Sequence, residues 1–444
     1  MSPIKTQIQR GARVRRGPAG IRPARPQNAR PQNTRPQNAR PATQPERGCR
    51  VEGGGCGSCV LVNSSYEPSL QAKFTKGLKH LEAASLLGTA QILGVNEAPR
   101  RLGYRTLVKL AVRPKASVSP DPSMDRFAIG LFEPGSHVVM DQIEHCPIHA
   151  PALRWMLRDL RRALNESPVQ PWNETTGQGD LRYLVARSSH MTNEIMLTFV
   201  VRDASQKANL QKIVSRLKRE GHKVASTHMN MNSEPGNAIF GAETIRLTGN
   251  DRLRERLCDL SFEVGPTAFF QVNPWQAAMM YRRVEQLSGM ASPGGVAWDL
   301  YCGIGQMSLI LARQGFRVFG VEENEAAVAD AALNSRRNEL SGQTTFLAAR
   351  VEDSETAFPA WAQKPEVIVV NPSRRGLHEG ARAHLAHVLR QNPDTRFIYV
   401  SCEVETLARD LAALRHAGFR LRQVEAFDMF AHTDNLEWLA VLTS

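Results

Sequence analysis

The residues with the most chemical reach stand at the ends of apolar runs. The run VAWDL (296–300) leads into Asp299-Leu-Tyr-Cys-Gly-Ile-Gly305, and the next, FRVFGVE (316–322), ends in Gly320-Val-Glu322. Gly303 and Gly305 permit a sharp turn and close backbone approach to a ligand, and an acid ending the second run can accept hydrogen bonds from a ribose diol. The turn is not Gly-x-Gly-x-x-Gly and has no Lys-Ser/Thr to hold a triphosphate, which disfavours a dinucleotide or ATP. A nucleoside cofactor without phosphates fits, and S-adenosylmethionine is the obvious one. EVIVVN (366–371) runs into Asn371-Pro-Ser-Arg-Arg-Gly376. Methylation of exocyclic amines uses an aromatic residue after such a motif to stack on the base; Arg374 and Arg375 stand there instead, which argues against that chemistry. RFIYVS (396–401) brings Cys402 to the same sheet edge as the cofactor turn, and the closing segment carries Asp428-Met-Phe-Ala-His-Thr433 and then Glu437.

Four further cysteines have ligand spacing: Cys49-x6-Cys56-x2-Cys59, then Cys146 in His145-Cys146-Pro147. Four thiolates suit either a structural zinc or a [4Fe–4S] cluster, with spacing alone leaning to zinc. Cys302 belongs to the cofactor turn, and Cys258 reads as a buried apolar position. Seven cysteines in all, an odd number, without a secretory apolar segment, argue for reduced thiols in a cytoplasmic protein rather than a disulfide scaffold.

These residues need elements to position them. Beyond Gly265 the rhythm is strand, tight loop, helix. To the runs above it adds strands at TTFLAA (344–349), RLRQVEAF (420–427) and EWLAVL (437–442), and helices over Met307–Gln314, Glu325–Leu340, Ala381–Gln391 and Val404–Ala417. Continuous apolar strands alternating with helices predict a doubly wound α/β domain whose parallel sheet is covered on both faces. The last two strands have no helix between them and predict an antiparallel hairpin at one sheet edge. Between Cys49 and about Leu260 the patterns are mixed. Arg105–Val112, Arg126–Leu131, Ile195–Val201 and Val224–Asn230 read as half-buried strands, and Ala150–Leu164 and Ser205–Glu220 as helices, an α+β region of no evident order.

The chain of 444 residues carries a formal charge of +13, but residues 1–45 hold ten basic side chains and no acid. The remainder has 46 basic against 43 acidic residues, so the net charge describes a tail and does not make the body a nucleic-acid binder. In that tail Arg-Pro-Gln-Asn followed by Ala or Thr occurs three times between Arg25 and Ala39. Regular prolines and few apolar side chains predict disorder over 1–46 and an electrostatic arm for a phosphate backbone. No run reaches the ~18 apolar residues of a membrane span, and nothing demands an obligate protein partner.

Taken together, Phe269-Phe-Gln271-Val-Asn-Pro274, Asp299–Gly305, Asn371–Gly376, Ser401-Cys402 and Asp428-Met-Phe-x-His-Thr433 with Glu437 resemble the RNA (uracil-5-)-methyltransferases that make 5-methyluridine. The resemblance runs from about Cys49 to the C-terminus. It implies that Gln271, Tyr301, Gln306 and Glu322 contact S-adenosylmethionine, that Asn371 lies between cofactor and base, that Cys402 is the nucleophile and that Glu437 is the general base. Three N-terminal cysteines and a distant Cys-Pro are similar to the 23S ribosomal RNA branch, which implies that Cys49, Cys56, Cys59 and Cys146 hold a [4Fe–4S] cluster and that 23S ribosomal RNA is the substrate. Two positions depart from the family pattern, Ser373 and Ala431. Arg350 follows the third strand where some members contact adenine, and Asp353 is the expected replacement. The resulting organisation is a disordered basic tail (1–46), an iron–sulfur and α+β RNA-binding region (47–264) and a Rossmann-like S-adenosylmethionine-dependent methyltransferase domain (265–444).

Overall fold

The computed structural model describes Cys49 and residues 56–115, 125–141, 145–236, 238–354 and 357–443. The expected tail lies outside the described residues. In chain order, α1 (Tyr66–Ala83) and β1 (Gln91–Asn96) are followed by β2 (Leu107–Pro114), β3 (Phe127–Phe132), β4 (Val139–Met140) and α2 (Pro151–Asn165). Next come β5 (Leu181–Ser188), β6 (Ile195–Val201), α3 (Lys207–Arg219), β7 (Val224–Met231) and β8 (Glu243–Gly249). A hairpin, β9 (Leu253–Leu257) and β10 (Leu260–Val264), precedes α4 (Pro274–Ser288), β11 (Val296–Leu300), α5 (Gln306–Arg313), β12 (Arg317–Glu322), α6 (Glu325–Arg337) and β13 (Thr344–Ala348). The chain closes with β14 (Val367–Val370), α7 (Glu379–Gln391), β15 (Arg396–Ser401), α8 (Val404–His416), β16 (Arg420–Phe427) and β17 (Glu437–Thr443).

The C-terminal strands form an eight-stranded sheet of order β1-β16-β17-β15-β14-β11-β12-β13. β11, β12, β13, β14 and β15 pair in parallel, while β17 runs antiparallel between β15 and β16. Alternation along each strand feeds two cores. Trp298, Leu300, Ile368, Val370, Phe397 and Tyr399 face α1, α7 and α8; Ala297, Val318, Val367, Val369, Ile398 and Val400 face α4 and α5. The order reverses between β11 and β14, so a crevice opens beyond their carboxyl ends, where α/β sheets bind ligands.

Two expectations need correction. The closing hairpin is not at the sheet edge, because β1 pairs in parallel outside β16. Nor does position 265 separate the elements of the catalytic sheet from the rest. α1 buries Tyr66, Leu70, Phe74 and Leu81, a 3–4 residue stripe, in the core that also contains α8. Phe74 stacks on Trp438 of β17 with ring centres 5.5 Å apart.

The remainder of the α+β region forms a seven-stranded sheet, β4-β3-β2-β5-β6-β7-β8, in which only β6 and β7 are parallel. α2 and α3 cover one face through Leu153, Met156, Leu160, Leu210, Ile213 and Leu217. The other face meets Val272 and Phe430 through Leu107, Ala111 and Tyr183. Cys258 is buried as expected, but at the tip of the β9–β10 hairpin, where it and Asp259 take positive φ of 48° and 65° in a two-residue turn.

Candidate active site

The carboxyl edge of the eight-stranded sheet borders a cavity of about 940 Å³. The seven residues that the resemblance assigns to cofactor, base or catalysis line it: Gln271, Tyr301, Gln306, Glu322, Asn371, Cys402 and Glu437.

On one side lies the turn after β11. Asp299 is buried and accepts a hydrogen bond from Ser308 Oγ at 2.5 Å; burial raises its carboxyl to about 7. Tyr301, Gly303 and Gly305 all take left-handed φ, of 64°, 54° and 84°. Only at the glycines is that conformation free of Cβ strain, and at Gly303 the space where a Cβ would go is open. Glu322 ends β12 and its carboxylate accepts from Gly303 N at 3.1 Å and Asn324 N at 3.0 Å, which aims it across the turn with lone pairs to spare. Gln306, at the start of α5, accepts from the Tyr281 hydroxyl at 3.3 Å, while its buried Nε2 donates to no described residue. An amide donor aimed into a cavity with no protein partner is what a polar ligand would satisfy. Gln271 is buried beside Tyr281.

Opposite lie Asn371, Cys402 and Glu437. Asn371 follows β14 and its backbone N–H donates to Leu300 O at 3.3 Å. The loop it opens is pinned by Asp410 of α8, which is fully buried and accepts from Leu377 N at 2.7 Å, Tyr399 hydroxyl at 2.8 Å, Arg382 at 3.1 Å and Arg409 at 2.8 Å. Gly376, with φ of 70°, passes so close that a Cβ would lie 2.5 Å from that carboxylate. Cys402 directly follows β15, half-buried; burial and the neighbouring Glu437 push its thiol up to about 11, and Arg374 opposes them. Glu437 begins β17 and is 3% exposed. Burial lifts its carboxyl to about 8, again opposed by Arg374. The arrangement pairs a thiol and an elevated carboxyl under one guanidinium, facing a nucleoside-sized cradle.

The Asp428–Thr433 motif behaves differently from its neighbours. Only Phe430 of it lines the cavity. Asp428 is buried and receives the Tyr66 hydroxyl at 2.6 Å and Lys73 Nζ at 2.5 Å, while Lys73 also donates to Thr433 O at 3.1 Å. Its role is to bolt the β16–β17 connection onto α1. Asp353 does not line the cavity either: its carboxylate accepts from Arg350 Nε at 2.7 Å, and Glu352 and Arg350 take the lining positions.

Sequence reasoning missed Phe269, a lining residue left 58% exposed at the mouth, and Arg374, Arg105 and Asp410. The first two stand inside motifs read for their neighbours. Asp410 carries no signal beyond an acid on an apolar helix face.

The four cysteines come together although 86 residues separate Cys59 from Cys146. Burial and the adjacent Cys146, Cys56 and Cys49 push the Cys59 thiol up to about 12, with Arg105 opposing. Such a group of crowded thiols fits a cation that would hold them as thiolates. Among the described residues, no three of these sulfurs lie within 4.8 Å of one another. Their loops are tied to neighbouring segments: Leu61 N donates to His432 O in the β16–β17 connection at 2.9 Å, and Gly103 N, before β2, to Pro147 O at 2.9 Å.

No family model matches the chain. It is 34% identical over 389 residues to an uncharacterized RNA methyltransferase of Geobacter sulfurreducens, covering 88% of this chain and 75% of that one. A second uncharacterized RNA methyltransferase, of Oceanobacillus iheyensis, is 31% identical over 397 residues, 87% and 81% of the two chains. The structure is similar to that of the Pyrococcus abyssi tRNA (uracil-54, C5)-methyltransferase in complex with S-adenosyl-L-homocysteine, with a TM-score of 0.68, 26% identity and coverage of 90% and 88%. Among the described residues no helix is long and apolar enough to cross a membrane.

Proposed function

We propose, for a chain that belongs to the RNA methyltransferase family of these relatives, that it methylates C5 of a uridine in 23S ribosomal RNA through a covalent bond between Cys402 and C6. The observation that carries this reading is the meeting of Cys402, Glu437 and Asn371 in the cavity that also holds the β11 turn and Glu322.

Uracil C5 is too weak a nucleophile to take a methyl group unaided. Addition of the Cys402 thiolate to C6 places an enolate in the ring and electron density on C5. Gln271, Tyr301, Gln306 and Glu322 would hold S-adenosylmethionine, whose sulfonium methyl would pass to that carbon as the S–CH3 bond breaks, with the thioether S-adenosylhomocysteine as the leaving group. C5 then bears both methyl and hydrogen. Glu437 removes the proton, the C5=C6 double bond re-forms and the thiolate departs. A carboxyl raised to about 8 is matched to this task, since a base works best with a pKa near the operating pH. Arg374 lowers both the thiol and the carboxyl, favouring the ionised form each step consumes. Asn371 holds the base between the two halves.

Cys49, Cys56, Cys59 and Cys146 are the ligands in this reading of a [4Fe–4S] cluster. Four thiolates also suit a structural zinc, and it is the resemblance to the 23S branch that favours the cluster. A cluster there supports the loop that carries His432, and no chemical step passes through it.

The same reaction on transfer RNA is the second reading, favoured by the substrate named for the Pyrococcus abyssi neighbour. Mass-spectrometric mapping of 5-methyluridine in 23S and transfer RNA from cells with and without the gene separates them. Loss from a 23S position supports the first reading, loss from transfer RNA the second, and an unchanged map in both sinks the proposal.

A further inference from the structure

The face of the seven-stranded sheet not covered by α2 and α3 holds a second concavity, of about 270 Å³, which the chemistry above leaves unused. Its size falls just below the ~300–1,000 Å³ of sites for drug-sized ligands, the scale of one nucleobase and its sugar. Phe132, Tyr183, His137 and Ile239 wall it, and Lys109 stands at its side.

Its charges are uneven. Arg113 lies 5.2 and 5.5 Å from the ring centres of Phe132 and Tyr183, and pairs with Glu174 at 3.4 Å. His137 Nδ1 lies 2.9 Å from the same carboxylate. Lys109 has no carboxylate within 4.0 Å among the described residues, and its ammonium stands 5.3 Å over the Phe240 ring. Burial, then Arg187 and Arg105, lower its pKa, so it sits among cations that an anion would relieve. Arg105 lines the catalytic cavity. Arg105 stands two residues before β2 and near enough to Lys109 for its charge to lower the Lys109 ammonium. Val272 and Phe430, which line the catalytic cavity, pack against Leu107 and Tyr183 of this sheet, so the two hollows share a wall.

We infer that this concavity is a second base site. It takes an unpaired nucleobase of the RNA strand whose target occupies the catalytic cavity, against the half-buried Phe132, with the intervening phosphates on Lys109 and Arg105. The inference rests on the RNA reading above and adds where the flanking strand goes. Aromatic walls accept any base face, and the cation supplies the sequence-independent part of the affinity.

Two measurements on the full-length protein test it. In the first, single-stranded RNA of random sequence containing 4-thiouridine is irradiated on the protein and on Cys402→Ala. Crosslinks at residues 127–140 or Tyr183 are expected in both, and their absence while the RNA remains bound overturns the site. In the second, Phe132→Leu and Lys109→Ala are assayed for methylation of RNA from cells lacking the gene. Phe132→Leu should raise KM for RNA about tenfold, the loss of one base–aromatic stack. Lys109→Ala should lower the salt dependence of KM, with KM for S-adenosylmethionine and the rate at saturating RNA unchanged in both. Normal RNA KM in both variants overturns the inference alone. A wild-type protein that methylates no RNA overturns the parent reading, and the crosslinks still decide the site.

Discussion

In the eight-stranded sheet helices cover both faces and every chemical group sits at one edge; in the seven-stranded sheet helices cover one face and the other looks toward the cavity. Parallel strands leave their carboxyl ends and following turns at one rim, which concentrates a cofactor turn, Asn371 and Cys402 there. A mostly antiparallel sheet has no such rim and instead offers area. Under the proposed function the difference amounts to a division of labour: one sheet would make and break bonds, and the other would supply surface for a long polymer.

The sharpest way to break that division is Cys402→Ala. Methylation should vanish while RNA affinity, measured by filter binding, stays within a few-fold; a loss of affinity as large as the loss of rate would mean that grip and chemistry are not separate. Glu437→Gln should slow turnover by about 10²–10⁴-fold. Because the thiolate cannot leave until the C5 proton is taken, this variant should accumulate protein–RNA adduct, visible as a slow band in denaturing gels. An equally slow variant without adduct would move the proton transfer elsewhere.

Lys73→Met leaves Asp428 buried without its cation, which typically costs about 3–5 kcal/mol. Urea unfolding should show that loss, and Lys73→Arg part of it. The effect belongs to the catalytic sheet, so the loss of stability should lower the midpoint without altering substrate KM at temperatures where the variant is folded.

Activity should rise with pH through about 8 as Glu437 ionises, and Arg374→Ala should shift the profile to higher pH. Stability runs the other way. A carboxyl whose folded pKa stands above its unfolded value near 4.5 binds more protons folded than unfolded between those limits. Its contribution is therefore full below about 4.5 and fades as pH climbs through about 8. Glu437→Gln should remove that slope from a thermal-unfolding pH series. The smallest effect is expected from deleting residues 1–46: RNA binding should weaken a few-fold at low salt with a flatter salt dependence and an unchanged target uridine. A changed target would give the tail a role in recognition.

Much of the catalytic half is legible in the sequence because its signals are local. β11, β14 and β15 are short apolar runs, and the turns after them carry Gly303, Gly305 and Asn371 within a few residues. α1 is harder to see: its buried stripe includes Lys73 and Gly77, residues of low apolar content whose places are set by Asp428 and Trp438 far along the chain. β1 presents half-buried and exposed positions and gains its place only by pairing with β16. The turn residues Cys258 and Asp259 lack the Asn-Gly signature of a tight hairpin, so β9 and β10 are hidden as well.

The sequence by itself determined which groups are available: a thiol and an acid near the ends of strands, a glycine turn facing an acidic residue, and four more thiols in a ligand-like pattern. Only the tertiary structure decided how those groups behave. Burial raises Glu437 and Cys402 while Arg374 pulls both back, Asp428 becomes a fastening rather than a reagent, and an open sheet face lies against the cavity wall. The reason is that residue type and spacing are local, whereas desolvation and charge proximity depend on what the fold brings from hundreds of residues away.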